Sequence, residues 1–164
     1  MRESLCVYPG SFDPVTCGHL DLVERASAIF PRVTVAVLNN PSKPGFFSVK
    51  DRVRMLEKAC AHLPAVRVDS FEGLLVDYMK AAGARIILRG LRAVADFENE
   101  SLMTQVNRHM FPEIETLFLL ASHKHAHISS SIVREVGGFG GDISSLIPDC
   151  VSAEITGALK GALK

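Results

Sequence analysis

Short apolar runs alternate along this chain with stretches whose apolar residues recur every three or four positions. Leu5–Tyr8, Val33–Leu38, Val66–Phe71, Arg85–Arg89 and Thr116–Ala121 have strand length and are rich in Val, Ile, Leu and Phe. Several are apolar throughout, as strands covered on both faces are. Between them, Leu20, Val23, Ala26 and Phe30 share one helical face, and so do Val53, Leu56, Ala59 and Leu63, with Ser48 and Asp51 placed ahead of them like a capping box. Leu74–Ala82, closed by Gly83, and Asp96–Phe111 are two more helical stretches. After Leu120 the alternation stops. A loop leads into a short helix around Ser131–Val136, GGFGGD reads as a mobile link or tight turn, and Pro148–Lys164 reads as a terminal helix weakened by Gly157 and Gly161.

This rhythm predicts an α/β fold, a Rossmann-like doubly wound sheet of about five parallel strands with helices on both faces. In such sheets ligands bind beyond the carboxyl ends of the strands. At 164 residues, without repeats or a linker, the chain is expected to form one domain over 1–164. Lys plus Arg balance Asp plus Glu at 18 each, so no global field would hold the protein on nucleic acid or an anionic membrane, and neither is expected as a partner. Any anion must be met locally. Cys6, Cys17, Cys60 and Cys150 form no CxxC pair, which argues against a zinc or dithiol motif and fits free thiols in a reducing cytosol. MRESLCVYPG lacks the pattern of a signal peptide, and no apolar run reaches the ~20 residues that span a bilayer. The expected location is cytoplasmic.

Polar residues with chemical potential fall at one edge of this scaffold. Ser11, Thr16, Gly18 and His19 follow the first strand, Lys43 the second, Arg89 and Arg92 the fourth, and Ser129, Ser130 and Ser131 the fifth. Main-chain N–H groups at a helix start lack intrahelical partners and carry partial positive charge, so a phosphate there meets ready donors. His19 adds a side-chain donor at such a start, or simply caps the helix. Arg89 and Arg92 are close enough to grip neighbouring phosphates, and Lys43 sits on a loop stiffened by two prolines. The alternating His123, His125 and His127 would face one side of an extended segment, as metal ligands do, yet no carboxylate or cysteine stands nearby in sequence to complete a shell. No metal-ligating residue is assigned. The chain also lacks a GxxxxGK[ST] loop, a GxGxxG turn after the first strand and a GxSxG elbow.

YPGSFDPVTCGH resembles the TxGH form of the HxGH signature of the nucleotidyltransferase superfamily, here Thr16 to His19, and ISSSIVRE resembles its ISSTxxR partner. Together with PSKP, RGLRAVADFENE and NRHMFPEIET, these blocks resemble the bacterial phosphopantetheine adenylyltransferase family over nearly the whole chain. The resemblance implies reversible transfer of an adenylyl group from ATP to 4′-phosphopantetheine, giving dephospho-coenzyme A and pyrophosphate, with Mg²⁺ accompanying ATP. It implies that His19 holds the α-phosphate in the transition state, with Lys43 and Arg92 as its catalytic partners. Ser11 would contact both reactants, Lys43 and Arg89 the phosphate of the acceptor, and Leu75 the pantetheine arm. Phe12, Gly90, Leu91, Arg92 and Glu100 would meet ATP, and the loop His125, Ala126, His127, Ile128, Ser129, Ser130, Ser131 would enclose its triphosphate and adenine. The family pattern often has tryptophan at His125, tyrosine at Asn99 and an arginine near Gly138, where this chain departs from it.

The same resemblance implies a homohexamer, and apolar positions in the helix after Pro148 are compatible with an interface. Two other readings stay open from the residues alone. One is an adenylyl- or cytidylyltransferase with a different acceptor, the other a non-catalytic nucleotide-binding protein.

Overall fold

The structure, a computed structural model, describes residues 4–162. The first three residues and the last two of the helix expected to end at Lys164 lie outside the described residues. Five parallel strands, β1 (Leu5–Gly10), β2 (Arg32–Asn39), β3 (Val66–Glu72), β4 (Ile86–Leu91) and β5 (Glu115–Leu120), form one sheet in the order β3-β2-β1-β4-β5. Six helices accompany them among the described residues: α1 (Cys17–Ile29), α2 (Val49–Ala59), α3 (Leu75–Ala82), α4 (Val94–Met110), α5 (Ser130–Gly138) and α6 (Asp149–Gly161).

The central strands are buried on both sides, which is why they read as continuous apolar runs. Cys6 and Tyr8 of β1 with Val33, Val35 and Val37 of β2 join the core under α1, α2, α5 and α6, while Val7, Ala36 and Ile87 join a second core with Val76 and Met79 of α3. The outer strand β3 is instead mostly exposed, with Val66 and Val68 partly covered and Phe71 buried. Val23 and Ala26 of α1 and Leu56 and Ala59 of α2 are buried as the helical spacing predicts, joined by Leu22 and Met55, while Leu20, Phe30, Val53 and Leu63 of the expected faces are only partly covered.

Helix ends follow local chemistry. Ser48 caps α2 by accepting from Asp51 N at 3.1 Å, and Gly83 closes α3 at φ 64. Helix α1 begins at Cys17, three residues ahead of its apolar stripe, because Thr16 caps it. The glycine stretch after Val136 is no free link: Gly137 and Gly138 form the last turn of α5, and Gly140 turns the chain at φ 80. The last helix corrects a second expectation. Val151, Ile155 and Leu159 of α6 are buried in the core, whereas α4 and β5 carry a run of exposed apolar residues, Val94, Phe97, Leu102, Met103, Val106, Leu117 and Leu120.

Strand order reverses between β1 and β4, the point where a doubly wound sheet opens a crevice. Their ladder holds only two register pairs, Cys6 with Ile86 and Val7 with Ile87. Beyond these the strands part, and their carboxyl ends flank the site.

Candidate active site

His19 is the third residue of α1 and completes a reciprocal cap. Its main-chain N–H donates to Thr16 Oγ1 at 3.2 Å, and Thr16 N–H donates to His19 Nδ1 at 3.1 Å. Capping and ligand contact are therefore not alternatives for this residue. Because Nδ1 accepts, the neutral ring carries its proton on Nε2, where it can be donated. Burial, and secondarily the charge of Arg92, pull the imidazole down to about 4, so the ring is neutral at physiological pH. Its edge packs against Phe12, with ring centroids 5.0 Å apart. Phe12 is itself buried and holds a positive φ of 47, an uncommon conformation for a side chain of this size. A Cβ on Gly10 would lie 3.0 Å from the Phe12 ring, so glycine there lets the ring fold back beneath the loop.

Two cavities meet at this edge. The first, of ≈ 320 Å³, has Thr16, Gly18 and His19 from the start of α1, Ser129 and Ser130 from the start of α5, and Gly90, Arg92 and His125 on its walls. Two helix N-termini thus face one space, the arrangement that receives an anion. Ser129 caps α5 by accepting from Ile132 N at 3.2 Å, and Ser130 Oγ donates to Pro14 O at 2.8 Å, tying α5 to the first loop. Arg92 is exposed and paired with Asp96, Nε to Oδ2 at 3.1 Å and Nη2 to Oδ1 at 3.2 Å. Tyr8 lines the same space, its phenol held protonated by burial.

The second cavity, of ≈ 420 Å³, is mostly apolar, with Leu38, Phe71, Leu75, Met103, Val106 and Met110 on its walls. Pro9, Gly10, Ser11 and Arg89 belong to both cavities and form the wall between them. Arg89 spans the gap between the parted strands: Nη1 donates to Pro9 O at 2.9 Å, Nε to Glu100 Oε2 at 2.7 Å, and Nη2 to Glu100 Oε1. Those bonds use three of its five donors and leave two free.

Most of the residues singled out in the sequence come together here, and some do not. Ser11, Phe12, His19, Arg89, Gly90, Arg92, His125, Ile128, Ser129 and Ser130 line the first cavity, and Leu75 the second. Glu100 lines the second cavity beside Leu75, not the first beside His19. Lys43 stands on an exposed turn after β2, its N–H donating to Asn40 O at 3.0 Å, and lines neither cavity. Leu91, Ala126, His127 and Ser131 also line neither. The histidine tract is a turn over residues 123–127, not an extended segment, so the alternation that would set its three rings on one side does not apply. Among the described residues no three His, Cys, Asp or Glu side chains cluster as a metal site. Cys17, inside the TxGH motif, lines a separate groove with α6, and burial keeps its thiol protonated.

Sequence reasoning missed Tyr8 and the apolar wall of the second cavity. Met103, Val106 and Met110 lie three, four and seven positions apart on α4, a helical spacing that marks a shared face but not what it faces.

Comparison with known proteins gives this geometry its relatives. The cytidylyltransferase-like family model matches residues 7–136. The phosphopantetheine adenylyltransferase of Finegoldia magna is 50% identical over 155 residues, covering 94% of this chain and 96% of its own. That of Heliobacterium modesticaldum is 51% identical over 152 residues, 93% of this chain and 90% of its own, and that of Gloeobacter violaceus 48% over 158 residues, 96% and 98%. A crystal structure from Vibrio parahaemolyticus, of a "Putative Nicotinate-nucleotide Adenylyltransferase", superposes with a TM-score of 0.68 at 14% identity over 96% of this chain and 94% of its own, a likeness of fold alone. With half of its residues shared across nearly its full length, and the donors of its two signature motifs gathered around one cavity, the chain belongs to the cytidylyltransferase-like family and, within it, to the phosphopantetheine adenylyltransferases.

Proposed function

We infer that this protein transfers an adenylyl group from ATP to 4′-phosphopantetheine, releasing pyrophosphate and forming dephospho-coenzyme A, a step in building coenzyme A. The observation that carries the reading is the wall of Ser11 and Arg89 between a donor-lined cavity and an apolar one. ATP occupies the first, the pantetheine arm the second, and the acceptor phosphate meets the α-phosphorus at the wall.

In the reaction an acceptor phosphate oxygen forms a bond to the α-phosphorus while the bond from that phosphorus to the α–β bridging oxygen breaks. Pyrophosphate carries away the electron pair. The nucleophile is already an anion, so no general base is required. The protein's work is to align two mutually repelling polyanions and to stabilise charge on the pentacoordinate phosphorus. His19 donates through Nε2 to an α-phosphate oxygen, and the N–H groups at the starts of α1 and α5 meet the triphosphate. Arg89 turns its two free donors to the acceptor phosphate, held in place by Glu100. Lys43 reaches the same phosphate from its neighbouring loop on a flexible four-carbon stem. Mg²⁺ arrives as part of the ATP substrate, held by phosphate oxygens and water, which suits walls built of donors and cations.

The decisive experiment measures pyrophosphate release from ATP with a panel of phosphorylated acceptors. Release with 4′-phosphopantetheine is expected, and activity only with a nucleotide acceptor would overturn the reading. We further infer a homohexamer, supported by the exposed Val94, Phe97 and Leu102 of α4 and Leu117 and Leu120 of β5, which line neither cavity, with a cytoplasmic location where ATP and acceptor meet. No helix among the described residues is long and apolar enough to cross a membrane. A solution mass six times 17.8 kDa by light scattering is the expected result.

A further inference from the structure

Asp13 lines neither cavity, yet three site-bearing segments converge on it. It is 6% exposed. Its two carboxylate oxygens accept separate main-chain N–H groups from the loop that carries Lys43, Oδ2 from Phe46 and Oδ1 from Phe47, both at 2.8 Å. From α5, Arg134 Nη1 donates to the Asp13 carbonyl oxygen and lies 3.5 Å from Oδ2. A Cβ on Gly45 would sit 3.1 Å from Oδ2 and 3.3 Å from Arg52 Nη2, so glycine there is what lets the loop lie against the carboxylate. Arg52, buried in α2, adds a parallel tie by donating to Ser11 O at 2.9 Å.

The spacing of these anchors gives the network its meaning. Ser11 stands two residues before Asp13 and His19 six after it, Lys43 three before Phe46, and Ser130 four before Arg134. Ser11, His19, Lys43 and Ser130 are thus each within a few residues of a bond to Asp13, whereas Arg89 is held separately, by Pro9 O and Glu100. Only a carboxylate can make this set. It accepts two N–H donors and a guanidinium at once, whereas an amide of the same shape offers one oxygen and turns an NH₂ group against the remaining donors.

We propose that Asp13 is a positioning residue for the transfer, holding the Lys43 loop in register with His19 so that the acceptor phosphate stays in line with the α-phosphorus. The proposal rests on the adenylyltransferase reading above. A displacement of the acceptor phosphate by about 1 Å costs on the order of 100-fold in rate.

The test uses the full chain and three variants, D13N, G45A and K43A, with the D13N/K43A double variant. Expected for D13N are a kcat about 100-fold lower, a KM for 4′-phosphopantetheine about tenfold higher, and an ATP Kd within threefold of wild type. G45A pushes the loop off the carboxylate without touching a charge, and keeps the test open should D13N fail to fold. It should raise the acceptor KM with ATP binding unchanged. If Asp13 acts through the Lys43 loop, K43A costs less in the D13N background than in wild type. Independent, multiplying effects would overturn the proposal, as would unchanged kinetics in both D13N and G45A, or an ATP Kd that weakens in parallel with kcat. A wild-type protein that releases no pyrophosphate with this acceptor would overturn the adenylyltransferase reading and this one together, whereas an active wild type with normal kinetics in both D13N and G45A overturns this one alone.

Discussion

The two cavities on either side of Ser11 and Arg89 are made of opposite materials. One is lined by helix N-termini, His19 and Arg92, the other by Leu38, Phe71, Leu75, Met103, Val106 and Met110. Under the proposed function the difference gives them different work, charge handled in the first and the acceptor's arm read in the second. Substitutions in the first should therefore act on turnover, and those in the second on acceptor KM. The largest effect expected is that of His19→Ala. Its Nε2–H bond strengthens only as charge develops on the α-phosphate, so kcat should fall about 10³-fold while ATP Kd moves no more than threefold. Pyrophosphate release and equilibrium titration measure the two quantities, and a parallel loss of ATP affinity would make His19 a ground-state contact.

Arg89 tests the wall itself. Arg89→Ala takes away the charge common to both spaces and leaves the Glu100 carboxylate facing an incoming phosphate, so kcat/KM for the acceptor should fall about 10²-fold. Arg89→Lys should recover little of it, because an ammonium cannot bridge Pro9 O and both oxygens of Glu100 as the guanidinium fork does. Leu75→Ala reaches only the second cavity. Loss of its apolar contact should raise the acceptor KM about tenfold with kcat unchanged. A fall in kcat with an unchanged KM would separate Leu75 from the acceptor's arm.

The same contrast explains what could be read from the sequence. The strands, their parallel direction and the gathering of donors at one edge were legible because their residues have one economical explanation each. Continuous Val and Ile runs demand cover on both faces, and Thr16, Gly18 and His19 ahead of an apolar stripe mark a helix start at a strand's end. The second cavity was not, because Met103, Val106 and Met110 carry the pattern of any core-facing helix, and periodicity cannot distinguish a wall from a core. The converse error came at α6, where Val151, Ile155 and Leu159 fill the core that the five strands and earlier helices leave open. Which cavity Glu100 lines was not legible for another reason. Its position depends on how far β1 and β4 part beyond Val7 and Ile87, a three-dimensional quantity that no local pattern records. Likewise Asp13 was passed over within the motif, since its partners Phe46, Phe47 and Arg134 lie 33, 34 and 121 residues away.

The smallest effect expected concerns the protonation of His19, and it sharpens the contrast by asking whether the donor cavity keeps its histidine neutral without help from ligand. In the unfolded chain an imidazole titrates near 6.5, whereas burial and Arg92 hold the folded one at about 4. Between those values the unfolded state binds a proton that the folded state does not. Stability must then fall as pH drops below 6.5, with the loss complete near pH 4. This contribution amounts to roughly 1 kcal/mol between pH 7 and pH 5.5. His19→Gln preserves a hydrogen-bonding side chain without the titration, so its unfolding free energy should lose about that much less over the same interval. Urea unfolding of both proteins at the two pH values gives the difference, in which the other titrating groups cancel. Parallel losses would mean that the fold does not depress the ring's titration, leaving a bound polyphosphate free to draw a proton onto it so that its attraction begins in the ground state. In that case His19→Ala should weaken ATP binding as well as turnover, so the smallest measurement decides how the largest one is read.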